Sequence, residues 1–169
     1  MPNSFLCYND TTEAVNLHAL REIHQDEEIT ISYFQELVFL NKQERADLLG
    51  NWQFTCHCDA CSSEEPGSNR MELKRLCQEL IEIHSTQIPS RGRALTVIGK
   101  LREVVVRLEE ERLLGPELWG CRLQLANLFY EIGDGPSQVA QLRIATQLLI
   151  LCLGTDHPSS QALVALAYE

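Results

Sequence analysis

The stretch PNSFLCYNDTTEAVNLHALREIHQDEEITISYF, residues 2–34, decides the fold of the first part of this 169-residue chain. Two runs with strand character, SFLCY and AVNLHAL, flank NDTT, whose Asn, Asp and Thr are typical turn residues. A third run, EEITISYF, alternates apolar and polar residues, which puts Ile29, Ile31 and Tyr33 on one face. The pattern predicts a β-hairpin followed by a third strand, with Tyr33 pointing inward at the end of that strand.

A short helix follows in NKQERADLLGNW. Asn41 can cap its N-terminus, and Glu44, three residues later, can complete a capping box. Gly50 stands where such a helix can end. The sequence therefore predicts one capped helix between the strands and the cysteine-rich stretch that comes next.

Three cysteines crowd into six positions of FTCHCDAC, residues 54–61: Cys56, Cys58 and Cys61. Incidental thiols are one interpretation, but the spacing favours a metal site. A closed zinc site takes four protein ligands, so this cluster is one ligand short. Water, Cys7 or His57 could take the fourth position, and because neither side chain is an obvious replacement, we expect weak or partial zinc binding by this chain.

Composition excludes several classes of protein. The net charge is -10, and residues 1–70 hold 4 Lys and Arg against 12 Asp and Glu, which predicts that this part repels nucleic acid and suits a basic peptide. No run approaches the roughly 18 apolar residues that span a bilayer, and no signal peptide is apparent. Seven cysteines, four of them single in apolar surroundings, are typical of a reducing compartment, so we expect a cytoplasmic or nuclear location.

The second half of the chain changes period. SSEEPGSN, residues 62–69, is polar and carries Pro and Gly, which predicts a linker. Beyond Arg70 the apolar residues fall at helical spacing and predict four helices up to Gly154 and a fifth after Pro158. Ser90 can cap the second of these helices. Two apolar stripes carry the prediction: Leu73, Leu76, Cys77, Leu80, Ile81 and His84 in the first, and Leu101, Val104, Val105 and Leu108 in the second. Pro116 suits a first helical turn and Gly154 suits a helix end. One helix pair has the size of a tetratricopeptide unit, and the final LVALAYE ends within an apolar pattern, so we expect a longer array.

These residues together resemble a known family. Residues 2–34, the capped helix and NWQFTCHCDAC, residues 51–61, look like the C-terminal part of a SET domain with its post-SET cysteines. They are similar in particular to the SET-and-MYND group of lysine methyltransferases and to related fungal SET-domain proteins. The resemblance implies an α+β fold: a partial β-rich SET fold with a post-SET zinc-type loop at 1–61, a linker at 62–69, and an all-α tetratricopeptide-like region at 70–169.

The resemblance also implies a fourth zinc ligand. MPN at residues 1–3 matches the last three positions of the family's Asn-His-Ser-Cys-x-Pro-Asn element. In the family the cysteine of that element completes the zinc site, and it would fall immediately upstream of Met1. Cys56, Cys58 and Cys61 are then three of four ligands.

Roles for three aromatic residues follow from the same resemblance. Tyr33 closes the strand whose tyrosine hydroxyl orients the lysine amine, which makes it the catalytic residue. Phe54 would lie near the adenine of S-adenosylmethionine, and Trp52 would line the lysine channel where many members have a tyrosine. Asp26 stands where the family usually has glycine, and a turn can accept it because Asp tolerates left-handed geometry.

Two functions of different classes are therefore expected. In the first, the chain is a fragment of an S-adenosylmethionine-dependent protein-lysine N-methyltransferase, inactive alone because the family's Gly-x-Gly cofactor loop, Asn-His pair and MYND finger have no counterpart here. Its substrate would be a protein with a lysine in a basic segment, a histone being one candidate. In the second, the chain is a non-catalytic SET remnant whose helical region binds a partner protein.

Overall fold

The computed structural model describes residues 2–33, 40–57, 59–62, 72–73, 75–77, 79–80 and 91–168. The chain divides into two compact units. One comprises Pro2–Ile31 together with Gln87–Glu169, and the other comprises Met1 and Ser32–Thr86. The described residues are mostly helical with one small sheet, which confirms an α+β class.

The predicted hairpin is present. Strand β1, Ser4–Asn9, pairs antiparallel with strand β2, Ala14–Ala19, and the register places Ser4 opposite Ala19 and Asn9 opposite Ala14. Asn9 Oδ1 accepts a 2.9 Å hydrogen bond from the Thr11 backbone N–H, which is the local side-chain bond that favours Asn in turns. The turn chemistry of NDTT was therefore sufficient to predict this element.

The predicted third strand is wrong for residues 27–33, none of which lies in a strand. The Thr30 carbonyl accepts from the backbone N–H groups of both Asn3 and Ser4, at 3.1 and 3.0 Å. The Thr30 N–H donates to Asn3 Oδ1 at 2.8 Å instead of to a backbone carbonyl. A side chain thus takes the place of a ladder partner, and the described part of EEITISYF, residues 27–33, forms no strand.

The unit that contains Ser32–Thr86 is built around short helices. Helix α1, Lys42–Gly50, has the predicted capping box: Glu44 N–H donates to Asn41 Oδ1 at 2.9 Å and Asn41 N–H donates to Glu44 Oε2 at 2.8 Å. Helix α2, Asp59–Ser62, is a single turn. The described residues between 72 and 80 are helical, and their buried side chains are the ones that the apolar stripe predicted: Leu73, Leu76 and Leu80.

Four longer helices form the other unit with the hairpin: α3, Arg91–Glu110; α4, Pro116–Glu131; α5, Gly135–Leu153; and α6, Pro158–Tyr168. Pro116 opens α4 and Gly154 ends α5 with φ +88°, as the sequence predicts. Each helix packs against the next one along the chain, and α5 also contacts both strands. The tetratricopeptide character of this array stays a prediction.

The core of this unit is the apolar stripe of α3 with the facing sides of α4 to α6. The predicted α3 residues are all buried: Leu101, Val104, Val105 and Leu108. Full burial of such side chains contributes about 1.5–3 kcal/mol each relative to exposure, so this stripe contributes to the stability of the helical part. None of the described helices is long and apolar enough to cross a membrane.

The predicted linker cannot be compared with the structure, since residues 63–69 lie outside the described residues, as do Ser90, the predicted cap of α3, and two members of the first stripe, Ile81 and His84. The domain boundaries at 61, 62 and 70 therefore stay predictions. The hairpin, however, shares a compact unit with the helices that follow the linker.

Candidate functional site

Two of the three aromatic residues singled out from the sequence lie in contact. The rings of Tyr33 and Phe54 have centroids 5.9 Å apart and planes inclined at 56°. Tilted pairs at 4.5–7 Å are a favourable arrangement of aromatic rings, worth about 0.5–1.5 kcal/mol beyond burial. The fold thus brings together two residues that are 21 positions apart in the sequence.

A tight turn after α1 positions Phe54. The backbone N–H groups of Trp52 and Gln53 donate to the carbonyls of Leu49 and Gly50, at 2.9 and 3.0 Å. Gln53 then takes φ +55°, an uncommon value outside glycine that reverses the chain direction. Leu49 is buried, and its carbonyl also accepts from the Phe54 N–H at 3.4 Å, which ties Phe54 to the end of α1.

The three aromatic side chains are open to solvent. Tyr33 is 63% exposed, Trp52 68% and Phe54 44%. The prediction that Tyr33 points inward is therefore wrong, because no layer of described residues covers this end of the EEITISYF segment. An exposed hydroxyl beside an exposed ring can meet a ligand from solution, which a packed core tyrosine cannot do.

The cysteine loop begins at Cys56, two positions beyond Phe54, in the same unit. Cys56 and Cys61 are half-buried, and Cys58 lies outside the described residues. Ser62 Oγ donates to the His57 carbonyl at 2.9 Å, which folds the loop back on itself. Thiolates in this number and spacing suit zinc, but no group of three His, Cys, Asp or Glu placed to hold a metal occurs among the described residues. The zinc prediction is left open by this structure.

Asn3 organises the start of the hairpin in the other unit. Its buried side chain donates to Glu27 Oε1 at 3.0 Å and to the Glu28 carbonyl at 2.8 Å. Its Oδ1 accepts from the Thr30 N–H at 2.8 Å and from Ser4 Oγ at 3.2 Å. The family element that MPN matches includes Asn3, but the resemblance assigns this residue no role. The sequence signal that could have indicated this network is the position of Asn3 just before the first strand, together with the Glu27–Glu28 pair at the start of the segment predicted to lie beside that strand.

Glu27 is the acidic partner in this network. The side-chain hydrogen bond from Arg21 is the largest cause that lowers its pKa from 4.5 to about 2, followed by the hydrogen bonds from Asn3 and from the His24 backbone N–H. Asp26, immediately before it, has φ +65°, as expected for Asp in place of glycine at this turn. The turn thus presents Glu27 to Asn3 and Arg21 as a carboxylate.

Comparison with known proteins gives partial matches. No family model matches the chain. Histone-lysine N-methyltransferase SET5 of Eremothecium gossypii is 42% identical over 50 residues, 30% of this chain and 10% of that protein. N-lysine methyltransferase SMYD2 of Sus scrofa is 29% identical over 75 residues, 44% of this chain and 17% of that protein. SMYD2-A of Xenopus laevis is 27% identical over 155 residues, 90% of this chain and 33% of that protein. The chain is related to SET-domain lysine methyltransferases.

The match to SMYD2-A covers 90% of the chain, so it includes the cysteine loop and most of the helical region. The chain spans about a tenth of the length of the SET5 relative and about a third of the length of SMYD2-A. The sequence similarity therefore covers only part of each of these relatives.

Proposed function

We propose that this chain carries the catalytic tyrosine and the post-SET segment of an S-adenosylmethionine-dependent protein-lysine N-methyltransferase. The observation that supports this most directly is the contact between the exposed rings of Tyr33 and Phe54. The two residues were assigned from sequence to the lysine and the cofactor sides of one reaction centre. Two residues that act in one reaction centre must lie close together, and the contact between these two rings meets that requirement.

Tyr33 is the catalytic residue of the proposal. Methyl transfer to lysine is an in-line displacement, in which a neutral amine attacks a methyl group, so both partners must be held in line. S-adenosylmethionine supplies the electrophilic methyl group and a sulfonium charge that disfavours a protonated amine nearby. The Tyr33 hydroxyl would accept a hydrogen bond from the amine and direct its lone pair, while the Phe54 ring restricts the rotation of the tyrosine ring.

Phe54 and Trp52 supply the apolar surfaces of the proposal. An aromatic face that is nearly half exposed fits the stacking of an adenine ring, which is the role assigned to Phe54. Trp52 would line the lysine channel, where it brings an apolar ring without a phenolic hydroxyl. With one hydroxyl in place of two, we expect the tryptophan to alter how many methyl groups the amine can receive.

Cys56, Cys58 and Cys61 would hold a structural zinc ion. Three thiolates leave one tetrahedral position for a further ligand, which we assign to a cysteine of an Asn-His-Ser-Cys element in a longer polypeptide. Zinc would fix the loop after Phe54 and so keep the ring in place. Cys56→Ser and Cys61→Ser should each lower the zinc content of that polypeptide, with Cys77→Ser as the control because Cys77 lies in the helical residues of the same unit.

We also propose that residues 1–169 alone transfer no methyl group, because the family's cofactor loop has no counterpart in this sequence. The substrate would be a protein that presents lysine in a basic segment, a histone among the candidates, in the cytoplasm or nucleus. The acidic first 70 residues suit such a segment.

The test separates binding from transfer in the longer protein purified from its source. Tyr33→Phe should leave the affinity for S-adenosylmethionine within about twofold and lower methyl transfer by about 100-fold or more. Tyr130→Phe is the matched control, because Tyr130 is an exposed tyrosine on α4. Equal transfer by the two variants would show that Tyr33 is not the catalytic residue.

A further inference from the structure

The hairpin has one apolar face that no described residue covers. The face consists of two directly opposed cross-strand pairs, Leu6 with Leu17 and Tyr8 with Val15. These four side chains are between 47% and 64% exposed, although each is large and apolar. Four adjacent side chains of this kind make a patch of a few hundred Å², the size at which exposed apolar surface on a protein tends to be functional. We name these four residues the outer face.

The opposite face of the same hairpin is already engaged by the helices. Asn9 is fully buried, and its Nδ2 donates to Asp156 Oδ2 at 3.2 Å. His18 lies against Gly154, where an added Cβ would come within 2.8 Å of His18 Cε1. Helix α5 contacts both strands. The helices therefore hold the hairpin through one of its faces, and the outer face on the opposite side is exposed to solvent.

Two exposed carboxylates lie in the hairpin turn at one end of the outer face. Asp10 and Glu13 occupy the turn, two residues beyond Tyr8 and two before Val15, and both are exposed. Neither carboxylate forms an ion pair within the part of the chain that the structure describes. Positive charge at this end of the outer face would therefore complement the two carboxylates.

We propose that the outer face binds an extended peptide segment of a partner protein, with apolar side chains at alternate positions and Lys or Arg at one end. Alternate residues of an extended segment project to the same side about 7 Å apart, which matches the spacing from Leu6 to Tyr8 and from Val15 to Leu17. The basic end would lie at the hairpin turn beside Asp10 and Glu13. This binding function is separate from the proposed methyl transfer and needs none of the residues assigned to it.

The test uses the 169-residue chain and three synthetic peptides. The first alternates leucine and serine and ends in two lysines, the second has glutamates in place of the lysines, and the third has serines in place of the leucines. Binding is followed by the NMR shifts of the methyl groups of Leu6, Val15 and Leu17. We expect the first peptide to bind and the other two to bind about tenfold more weakly or not at all.

Variants locate the binding on the outer face. Leu17→Ser should weaken binding of the lysine peptide by about tenfold, since a central apolar contact is lost. Asp10→Asn together with Glu13→Gln should weaken it by about threefold to tenfold and reduce its dependence on salt. Leu95→Ser is the matched control, because Leu95 is a similarly exposed leucine on α3. The far-ultraviolet circular dichroism of each variant establishes that it is folded.

Three results would overturn the proposal. The glutamate peptide could bind as tightly as the lysine peptide, which would remove the role of charge. The lysine peptide could fail to shift the outer-face methyl groups in folded protein. Sedimentation could show a dimer that Leu17→Ser dissociates and Leu95→Ser does not, which would make a second copy of this chain the occupant.

Discussion

At the scale of single residues, Asn3 joins the start of β1 to the segment that follows β2. One short, buried side chain satisfies two partly buried backbone groups, the Thr30 N–H and the Glu28 carbonyl. A buried backbone group without a partner costs about 1–3 kcal/mol. Asn3 therefore supplies hydrogen bonds to residues 28–30 that a neighbouring strand would supply in a paired ladder.

Replacement of Asn3 by alanine should destabilise the protein by about 2–3 kcal/mol, because the backbone groups of Thr30 and Glu28 lose their partner. Urea unfolding followed by circular dichroism measures this change. Asn16→Ala is the control, since Asn16 lies in β2 and its side chain makes no hydrogen bond with the described residues. Equal midpoints for the two variants would show that the Asn3 network contributes little.

Glu27 gives a prediction on acid stability. Its folded-state pKa of about 2 lies below its ordinary 4.5, so the folded protein keeps the carboxylate where the unfolded chain binds a proton. The stabilisation is present above about pH 4.5 and is lost as the pH falls towards 2. Glu27→Gln should therefore lose less stability between about pH 5 and pH 3 than the wild type does.

The control for this pH prediction is Glu28→Gln, because the exposed neighbour makes no side-chain hydrogen bond with the described residues. Urea midpoints at the two pH values measure the change for each protein. If Glu27→Gln and the wild type lose the same stability on acidification, the Arg21–Glu27–Asn3 network does not hold the carboxylate ionised in the folded state.

Several residues could be assigned from sequence because their role is local. The Asn41 and Glu44 capping box, Asp26 in a left-handed turn, Pro116 at the first turn of α4 and Gly154 after α5 all depend on the backbone within a few positions. The bonds of Asn3 to residues 24 and more positions away do not, so no local pattern predicted them.

At the scale of elements, the hairpin was predictable and the third strand was not. NDTT encodes its own turn, and the two flanking runs pair with each other. An alternating run such as EEITISYF only shows that a segment can pair, whereas a strand also needs a partner ladder, which the described residues do not provide. The exposure of Tyr33 has the same cause, because an inward face requires a layer to face.

The junction between α5 and α6 gives a prediction about packing. Gly154 has φ +88°, and an added Cβ would lie 2.8 Å from both Asp156 Oδ1 and His18 Cε1. Gly154→Ala should thus destabilise the protein by about 2 kcal/mol or more, through backbone strain and displacement of the hairpin.

Gly99→Ala is the matched control for this junction. Gly99 lies within α3 with open space around it, so alanine there should stabilise the protein by about 0.5–1 kcal/mol. Thermal unfolding of both variants tests whether the two substitutions change the stability in opposite directions. A Gly154→Ala protein as stable as Gly99→Ala would contradict the close approach of the hairpin to this junction.

At the scale of the whole molecule, the reactivity of Cys152 measures how often the unit formed by the hairpin and the helices opens. It is fully buried in α5, and burial is the main cause that raises its pKa to about 12, with further contributions from Cys7 and Glu117. Its Sγ donates to the Leu114 carbonyl at 3.1 Å. A thiol in this state reacts only when the unit opens, because the thiolate is the reactive form.

Alkylation of Cys152 by iodoacetamide should therefore be at least about 100-fold slower in native protein than in urea, as measured by mass spectrometry of the peptide that contains it. Cys61, half-buried in the loop after α2, is the internal comparison. Equally rapid native labelling of both cysteines would contradict a closed unit around α5.

The methyltransferase relationship rests on sequence patterns that extend across both units. The family resemblance was found from residues 1–61, and the match to SMYD2-A then extended over 90% of the chain. The roles of Tyr33, Trp52, Phe54 and the cysteines could be assigned only by resemblance, because an aromatic residue or a thiol carries no local pattern that specifies a methyl donor. The Tyr33–Phe54 contact is the structural observation that supports the assignment.

The most direct measurement is methyl transfer by the protein as it occurs in its source, captured with an antibody against residues 91–168 and supplied with labelled S-adenosylmethionine and a lysine-rich protein. We predict labelled methyl-lysine from the wild type and about 100-fold less from cells that carry Tyr33→Phe, with Tyr130→Phe unchanged. A captured polypeptide longer than these 169 residues that transfers no methyl group, or that transfers it equally with phenylalanine at position 33, would contradict the proposed function.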